Sequence, residues 1–556
     1  MRSRTNRRTM LVAAFGMATA MAIAACTSTT PGSPTPAATG GGSTPGATAG
    51  ESKAIIKAIS GDTQTIDPRL NFQPRASEMV ANMYDQLVTY PTLTDANGGL
   101  YSDVTKPEGL LAESWEISAD GLTVTWHLRK GVKFHSGREM TAEDVKWSWQ
   151  RAAKIQKGGW FDHKVTALYS DNENDIDTVV TVVDKYTVTM KSQYVTPYRP
   201  QVFANAGVTV YDSELMKQHV TADDPWAAEY LKDHDAGSGP FLLEKIEPGV
   251  QVVMKRFDDY FRGPAAAPQI VYRVIPSASS RATLLENGEV QFAEELDLNT
   301  AKKLAESGKV TIIDYKTTDQ LFLMMNTLTG PTADRKVRQA IAMAVPYDDI
   351  VKTVYFGYAQ SGGGPLPIGT PGYDPNAPFA KYDIEKAKAT LAASSQASGF
   401  DITLSIDASR PQWEQAALLI QNSLAALNIK VTIDKLAPAN YNEQFFANKL
   451  PFFIFQGLSW VNEPTYHFLL FWEAGSYGNR IGYANTQVDA LLAEAKRSTD
   501  DALRNKNFAE VQKLMLEDAP AAWIGQPDLV IATTKGISGY IQRPDQITRF
   551  YTMTNQ

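Results

Sequence analysis

Six histidines and one cysteine are the side chains of this 556-residue chain best suited to hold a metal or attack a carbonyl. The histidines, His127, His135, His163, His219, His234 and His467, never stand three or four apart, so no helix face gathers a metal pair. No Gly-x-Ser-x-Gly elbow, His-Glu-x-x-His run or Ser-x-x-Lys set with its companion motifs is present. Gly237-Ser238-Gly239 lacks the five-residue frame of a nucleophile elbow and reads as a turn. The carboxylate pairs Asp258-Asp259 and Glu294-Glu295 are adjacent in sequence, where side chains diverge, and read as solvated charge. Gly362-Gly363-Gly364 leads into prolines and reads as a loop, not a phosphate cradle. These readings predict no enzyme, no metal and no cofactor. A hydrolase whose triad is gathered from distant segments stays open as an alternative.

Cys26 is the one thiol. Arg2, Arg4, Arg7 and Arg8 precede an apolar run from Met10 to Ala25, the pattern of a secretory signal. The run is shorter than the roughly 20 apolar residues a membrane span needs. It ends at Ile23-Ala24-Ala25-Cys26, which resembles the lipobox of bacterial lipoproteins, and that resemblance implies cleavage before Cys26 and acylation of its sulfur. Residues 27–50 are all Thr, Ser, Pro, Gly or Ala. They cannot bury enough surface to offset ordering, so a flexible tether is expected, spanning roughly 25–30 Å root-mean-square. The expected location is the outer face of the cell membrane, held by the lipid alone.

The rest must stand on its own core. Apolar residues make up 43% and charged residues 21%, ordinary for a globular protein, and about 500 residues predict two or more domains. The formal charge of −8 becomes −12 once the four leader arginines are removed. Such acidity argues against nucleic acid and against a broad footprint on anionic lipid.

Alternation places a strand over 54–60, a turn at Asp67-Pro68 and a helix from about Ser77. Asp120-Gly121 marks a turn, after which Leu122, Val124, Trp126 and Leu128 alternate with polar residues and leave His127 on the outer face. Thr141 and Asp144 form a capping arrangement for a helix whose stripe is Val145, Trp149 and Ala152. Further on, Phe400, Ile402, Leu404 and Ile406 alternate, Trp413, Ala417, Ile420, Leu424 and Leu427 recur at helical spacing, and 430–436 alternates again. This is a βαβ unit with a parallel strand pair. The run 451–455 predicts a strand covered on both faces, and helices are expected near 487–497 and 501–516. The class is α/β with a mixed sheet.

Six segments in order carry a resemblance. They are "TIDPRLNFQPRASEMVANMYDQLVTY", "LLAESWEISADGLTVTWHLRKGVKFHSGREMTAEDV", "GSGPFLLEKIEPGVQVVMKRFDDYFRG", "DRKVRQAIAMAVPYDDIVKTVYFGYA", "YDIEKAKATLAAS" and "NRIGYANTQVDALLAEA". Together they resemble the family 5 extracellular solute-binding proteins, the dipeptide- and oligopeptide-binding group of ABC importers, over residues 54–556. In the second segment Ser136 stands where that family usually has aspartate. The resemblance implies a two-lobed periplasmic-binding-protein fold of type II, a Venus flytrap with an extra inserted subdomain. Its implied division is lobe I from 52–95, 238–318 and 525–556, the insertion 96–237, and lobe II 319–524, after a leader to 25 and a tether 26–51. It implies a monomer that captures a small solute, most simply a peptide or peptide-like molecule, and hands it to an ABC permease. The alternatives are an oligosaccharide or other non-peptide solute, or a surface receptor that passes nothing on. Nickel or haem carriage, also found in this family, is not expected, because His467 stands alone.

Ligands of open α/β sheets bind beyond the carboxyl ends of strands. The strand at 451–455 delivers its carboxyl end to the loop Gln456, Gly457, Leu458, Ser459, Trp460, and on to Glu463 and Pro464. The peptide binders typically carry an aspartate four residues before that proline, paired with the ligand ammonium; here the position is Trp460, and Glu463 is the nearest acid, a candidate but one expected to cap the next helix or point outward. Either another acid answers the ammonium or the ligand has none. Asn71, Phe72 and Gln73, after the first strand, are the first-lobe candidates.

Overall fold

The computed structural model describes residues 52–63, 65–68, 70, 74–155, 176–193, 195, 196 and 199–556. The leader, Cys26, the tether, His163 and the candidates Asn71, Phe72 and Gln73 lie outside the described residues.

Two mixed sheets organise the rest into two lobes. The first sheet has seven strands in the order Phe241–Glu247, Gln251–Arg256, Gln269–Val274, Ile55–Ile59, Phe292–Ala293, Leu529–Thr534, Val310–Tyr315. Ile55–Ile59 lies parallel to both neighbours, while every other pairing is antiparallel. The second sheet has six strands in the order Ala359–Ser361, Ala521–Pro527, Gln320–Met325, Phe452–Gly457, Phe400–Asp407, Ile429–Leu436. The expected βαβ unit is present: Phe400–Asp407 pairs in parallel with Ile429–Leu436, and the helix Pro411–Ala425 crosses over. Gln320–Met325 and Ala521–Pro527 are buried along their whole lengths, which is why both read as unbroken or nearly unbroken apolar runs. The helices Thr486–Arg497 and Asp501–Asp518 close the layer over the same core.

A four-stranded antiparallel sheet, Ala112–Ile117, Thr123–Leu128, Thr187–Lys191 and Val180–Asp184, is built between the first two long strands of the first sheet in chain order. Trp126, Trp149, Phe134 and Phe203 fill its core against the helix Ala142–Ile155. The cap of that helix differs from the expectation. Asp144 does accept from the Thr141 backbone N–H at 2.8 Å, but the Thr141 hydroxyl also donates to Asp144, at 3.0 Å, instead of serving the backbone. The first helix begins at Pro74, three residues before the expected start. Glu294-Glu295 is not uniformly solvated: Glu294 is largely buried and accepts from Arg75 Nε at 2.9 Å, while Glu295 stays exposed.

The chain passes between the large sheets twice, at 316–319 and at Asp528, and the two crossings are tied side by side. Thr317 Oγ1 donates to the Pro527 carbonyl at 2.7 Å, Gln526 Nε2 donates to the Thr317 carbonyl at 2.9 Å, and Lys316 Nζ pairs with Asp528 at 2.6 Å. Two short adjacent crossings between packed bodies form the natural hinge of such an arrangement.

Candidate ligand-binding site

The parallel strands Phe400–Asp407, Ile429–Leu436 and Phe452–Gly457 end on one edge of the second sheet. Asp319 enters the sheet at that same edge, because Gln320 lies opposite Gly457 and Leu321 opposite Gln456. The edge therefore faces the crossings and the first lobe. Helices beginning at Pro411, Pro438 and Pro464 start from it, each with proline in its first turn where the missing N–H costs nothing. Their amino ends add a field that favours negative groups.

Four side chains converge there. Asp319 is 9% exposed. Its Oδ2 accepts from Gln456 Nε2 at 2.5 Å, and Gln456 Oε1 accepts from the Trp413 indole at 3.4 Å. The other carboxylate oxygen, Oδ1, is buried with no hydrogen-bond partner. Burial pushes the Asp319 carboxyl up to about 6, against the opposing pull of the Gln456 hydrogen bond and the Arg410 charge. Arg410 is exposed, with its guanidinium 5.5 Å from the centre of the Trp413 ring. Among the described residues no carboxylate lies within ion-pairing distance of it; its charge acts on Asp319 from further off. Tyr355 packs close by, its phenol raised by burial and by the Asp319 charge. An acid with a spare acceptor, an uncommitted guanidinium and an indole face can hold a polar or zwitterionic solute. They carry out no bond-breaking step.

The loop candidates divide. Gln456 faces this group directly. Leu458 and Trp460 are partly exposed, and Trp460 lines a small gap with Tyr90, Gln201, Asn205, Arg543 and Asp545 of the first half of the fold. Gly457 serves packing: a Cβ there would stand 2.5 Å from the Phe471 ring. Ser459 is buried and shares a 2.7 Å hydrogen bond with His467 Nδ1. Among the described residues, that serine–histidine contact has the partners of a hydrolytic pair but not its setting. Burial pushes His467 down to about 3, His467 Nε2 has no carboxylate to orient it, and both groups are closed to solvent. Glu463 must be removed from the ligand candidates. Its carboxylate caps the helix Pro464–Phe471 by accepting from Tyr466 N at 2.9 Å and pairs with Arg504. Among the described residues no group of three or more His, Cys, Asp or Glu could hold a metal. No described helix is long and apolar enough to cross a membrane.

The family described as "Bacterial extracellular solute-binding proteins, family 5 Middle" matches residues 106–479. The chain belongs to this family. It is therefore a substrate-binding protein and not an enzyme. A probable D,D-dipeptide-binding periplasmic protein of Escherichia coli is 29% identical over 503 residues, which cover 89% of this chain and 93% of that one. Heme-binding protein A of Haemophilus influenzae is 28% identical over 471 residues, 80% and 84% of the two chains. Among solved structures, a periplasmic binding protein of Helicobacter pylori in complex with the peptide STSA superposes with a TM-score of 0.78 at 24% identity, covering 91% of this chain and 98% of that one. An oligopeptide-binding protein of Bacillus subtilis in complex with a nonapeptide gives 0.75 at 20%, over 91% and 99%. These likenesses show the fold: two lobes of the type II periplasmic-binding class.

Three residues of the site escaped the sequence reading as ligand groups. Asp319 stands two positions before the five-residue apolar run Leu321–Met325, a weak signal that an acid is being carried to a buried edge. Arg410 precedes Pro411 at the end of a strand, where the carboxyl-end rule alone would have found it. Trp413 was read only as part of a buried helix stripe.

Proposed function

We propose that this family 5 solute-binding protein captures a peptide or peptide-like solute bearing a free ammonium and delivers it to an ABC importer. The observation that carries the reading is the unpartnered Oδ1 of Asp319 beside an unpaired Arg410. Asp319 takes the ammonium, in place of the loop aspartate that Trp460 replaces. Arg410 takes a carboxylate, and Trp413, Leu458 and Trp460 wall the apolar part. Asn71, Phe72 and Gln73, outside the described residues, are kept as the first-lobe candidates. An ammonium buried without a counter-charge costs several kcal/mol, so the acid decides which solutes are held. Relatives named for D,D-dipeptides, di/tripeptides and glutathione support this class of solute. A haem ligand is not supported, because His467 is sealed against Ser459.

The lobes are taken as 52–95, 238–318 and 525–556 for the first, with the insertion 96–237, and 319–524 for the second, whose last strand runs on to Pro527. The protein works as a monomer, anchored by acylated Cys26 on the outer face of the cell membrane, and closure over the solute is what the permease recognises. Replacing Cys26 by Ser is expected to release the protein into the medium, as read by fractionation.

A second reading, an oligosaccharide or another non-peptide solute, draws on the tryptophans at 413 and 460. Native mass spectrometry of the full-length protein, with fragmentation of the ejected ligand, separates the two. A peptide-like mass with a free amine supports the first. An amine-free solute supports the second.

A further inference from the structure

The first lobe carries a partly open cavity of about 80 Å³, lined among others by Asp85, Glu108, Arg262, Arg543, Arg549 and Tyr551. The chain's last segment builds it by folding back over the first helix. Asn82 Nδ2 donates to the Thr548 carbonyl at 2.9 Å, and the Phe550 N–H donates to Asn82 Oδ1 at 2.7 Å. The volume holds several waters or one small oxyanion.

Three guanidinium groups line the cavity, together with the carboxylates of Asp85 and the exposed Glu108, yet among the described residues two of the three have no acid in direct contact. Arg549 is answered by Asp545, at 2.8 and 3.1 Å. Arg543 has one weak hydrogen bond, from Nη1 to Thr89 Oγ1 at 3.3 Å, and its Nε is buried without a partner. Arg262 lies over the Tyr551 ring at 5.3 Å. Among the described residues, neither Arg543 nor Arg262 has a carboxylate within ion-pairing distance. Asp85 is the buried acid of the wall, where Tyr260 and Ser238 donate to it at 3.1 and 3.2 Å. Burial pushes its carboxyl up to about 7, which weakens its charge as a partner for the guanidinium groups. Burial, and after it the Arg549 charge, push Arg543 down to about 9 against the opposing pull of Asp545. A buried guanidinium nitrogen left without a partner at the wall of a cavity calls for a counter-charge from within it.

We propose that this cavity is an oxyanion site, which takes a small carboxylate or phosphate in the fork of Arg262, Arg543 and Arg549. Planar guanidinium groups match both kinds of oxygen pair. Arg543 and Arg549 also line the gap beneath Trp460, so the occupied site borders the seat of the second lobe's loop. The site stands whatever solute the Asp319 edge takes.

The test is the thermal midpoint of the full-length protein, titrated with sodium phosphate and with sodium acetate against sodium chloride at matched ionic strength. The expected result is a saturating rise with at least one oxyanion that chloride does not give. R262Q, which alters an exposed guanidinium and spares the core, is expected to raise the half-saturating concentration at least tenfold. R543Q is expected to abolish the saturating rise, and if it fails to fold, R262Q decides alone. The proposal is overturned if neither oxyanion exceeds chloride, or if R262Q saturates at the wild-type concentration.

Discussion

Two regions of this molecule set acids and bases together under opposite rules. At the root of the four-stranded sheet every charge is answered. Arg151 and Asp67, both fully buried, join at 2.9 and 2.6 Å, and Arg151 Nε also donates to the Trp226 carbonyl. Arg138 bridges Asp144 and Asp212, while His135 is held between Asp235 at 2.5 Å and the Gly239 carbonyl at 2.9 Å. Burial opposes the His135 charge, yet Asp235 keeps its pKa above the ordinary value. At the edge of the second sheet, Asp319 and Arg410 act on each other from a distance, and Asp319 Oδ1 has no partner. The closed network joins elements distant in sequence. The open edge leaves hydrogen-bonding capacity for something that arrives later.

The largest effect expected from breaking this contrast lies in the closed network. Arg151→Leu strands a fully buried Asp67 and is expected to cost about 3–5 kcal/mol in denaturant unfolding. Adding Asp67→Leu should recover most of the loss, since the stranded charge and not the missing attraction is the main penalty. An additive second loss would count against that.

At the open edge the same logic reverses. Asp319→Asn is expected to weaken an ammonium-bearing solute by about 30- to 1,000-fold, equivalent to about 2–4 kcal/mol. It should also stabilise the solute-free protein. Burial lifts the folded-state pKa of Asp319 to about 6, above the ordinary 3.8. Ionisation between those two values therefore costs stability as pH rises, and the full cost, up to about 3 kcal/mol, is in force above pH 6. Asparagine carries no such cost. A variant that loses both binding and stability would place Asp319 with the closed network instead.

Gly457→Ala tests the packing that holds the loop. With a Cβ 2.5 Å from the Phe471 ring, about 1–3 kcal/mol of stability should be lost, read as a lower thermal midpoint. The smallest expected effect is in pH. Because only ionised Asp319 pairs with an ammonium, affinity should be flat between about pH 6.5 and 7.5 and fall tenfold per unit below about 6, about 1.4 kcal/mol per step. Calorimetric titration at four pH values would show it.

Local signals carried the elements well. The βαβ unit at 400–436, the covered strand near 451–455 and the two late helices follow from periodicity alone, because each buries its own stripe. The family likeness of six separate segments implied how such elements are joined. What stayed hidden depends on pairings between distant segments. Asp319 is buried because Gln320 pairs with Gly457, and its partner Gln456 lies 137 residues away. Glu294 reads as solvated until Arg75 reaches it across 219 residues. The Arg262, Arg543 and Arg549 cluster joins a mid-chain turn to the carboxyl terminus. The capping role of Glu463 was legible from its place before Pro464, but its partner Arg504, on a helix 41 residues later, was not.

The central claim is that Asp319 reads the ammonium of the bound solute. The most direct test titrates wild-type protein and Asp319→Asn calorimetrically, near pH 7.5, with the solute that native mass spectrometry identifies and with its N-acetylated form. The account predicts that acetylation and the substitution each remove most of the affinity, and that together they remove little more than either alone. Tight binding of the acetylated solute to the wild type, or fully additive losses, would contradict it.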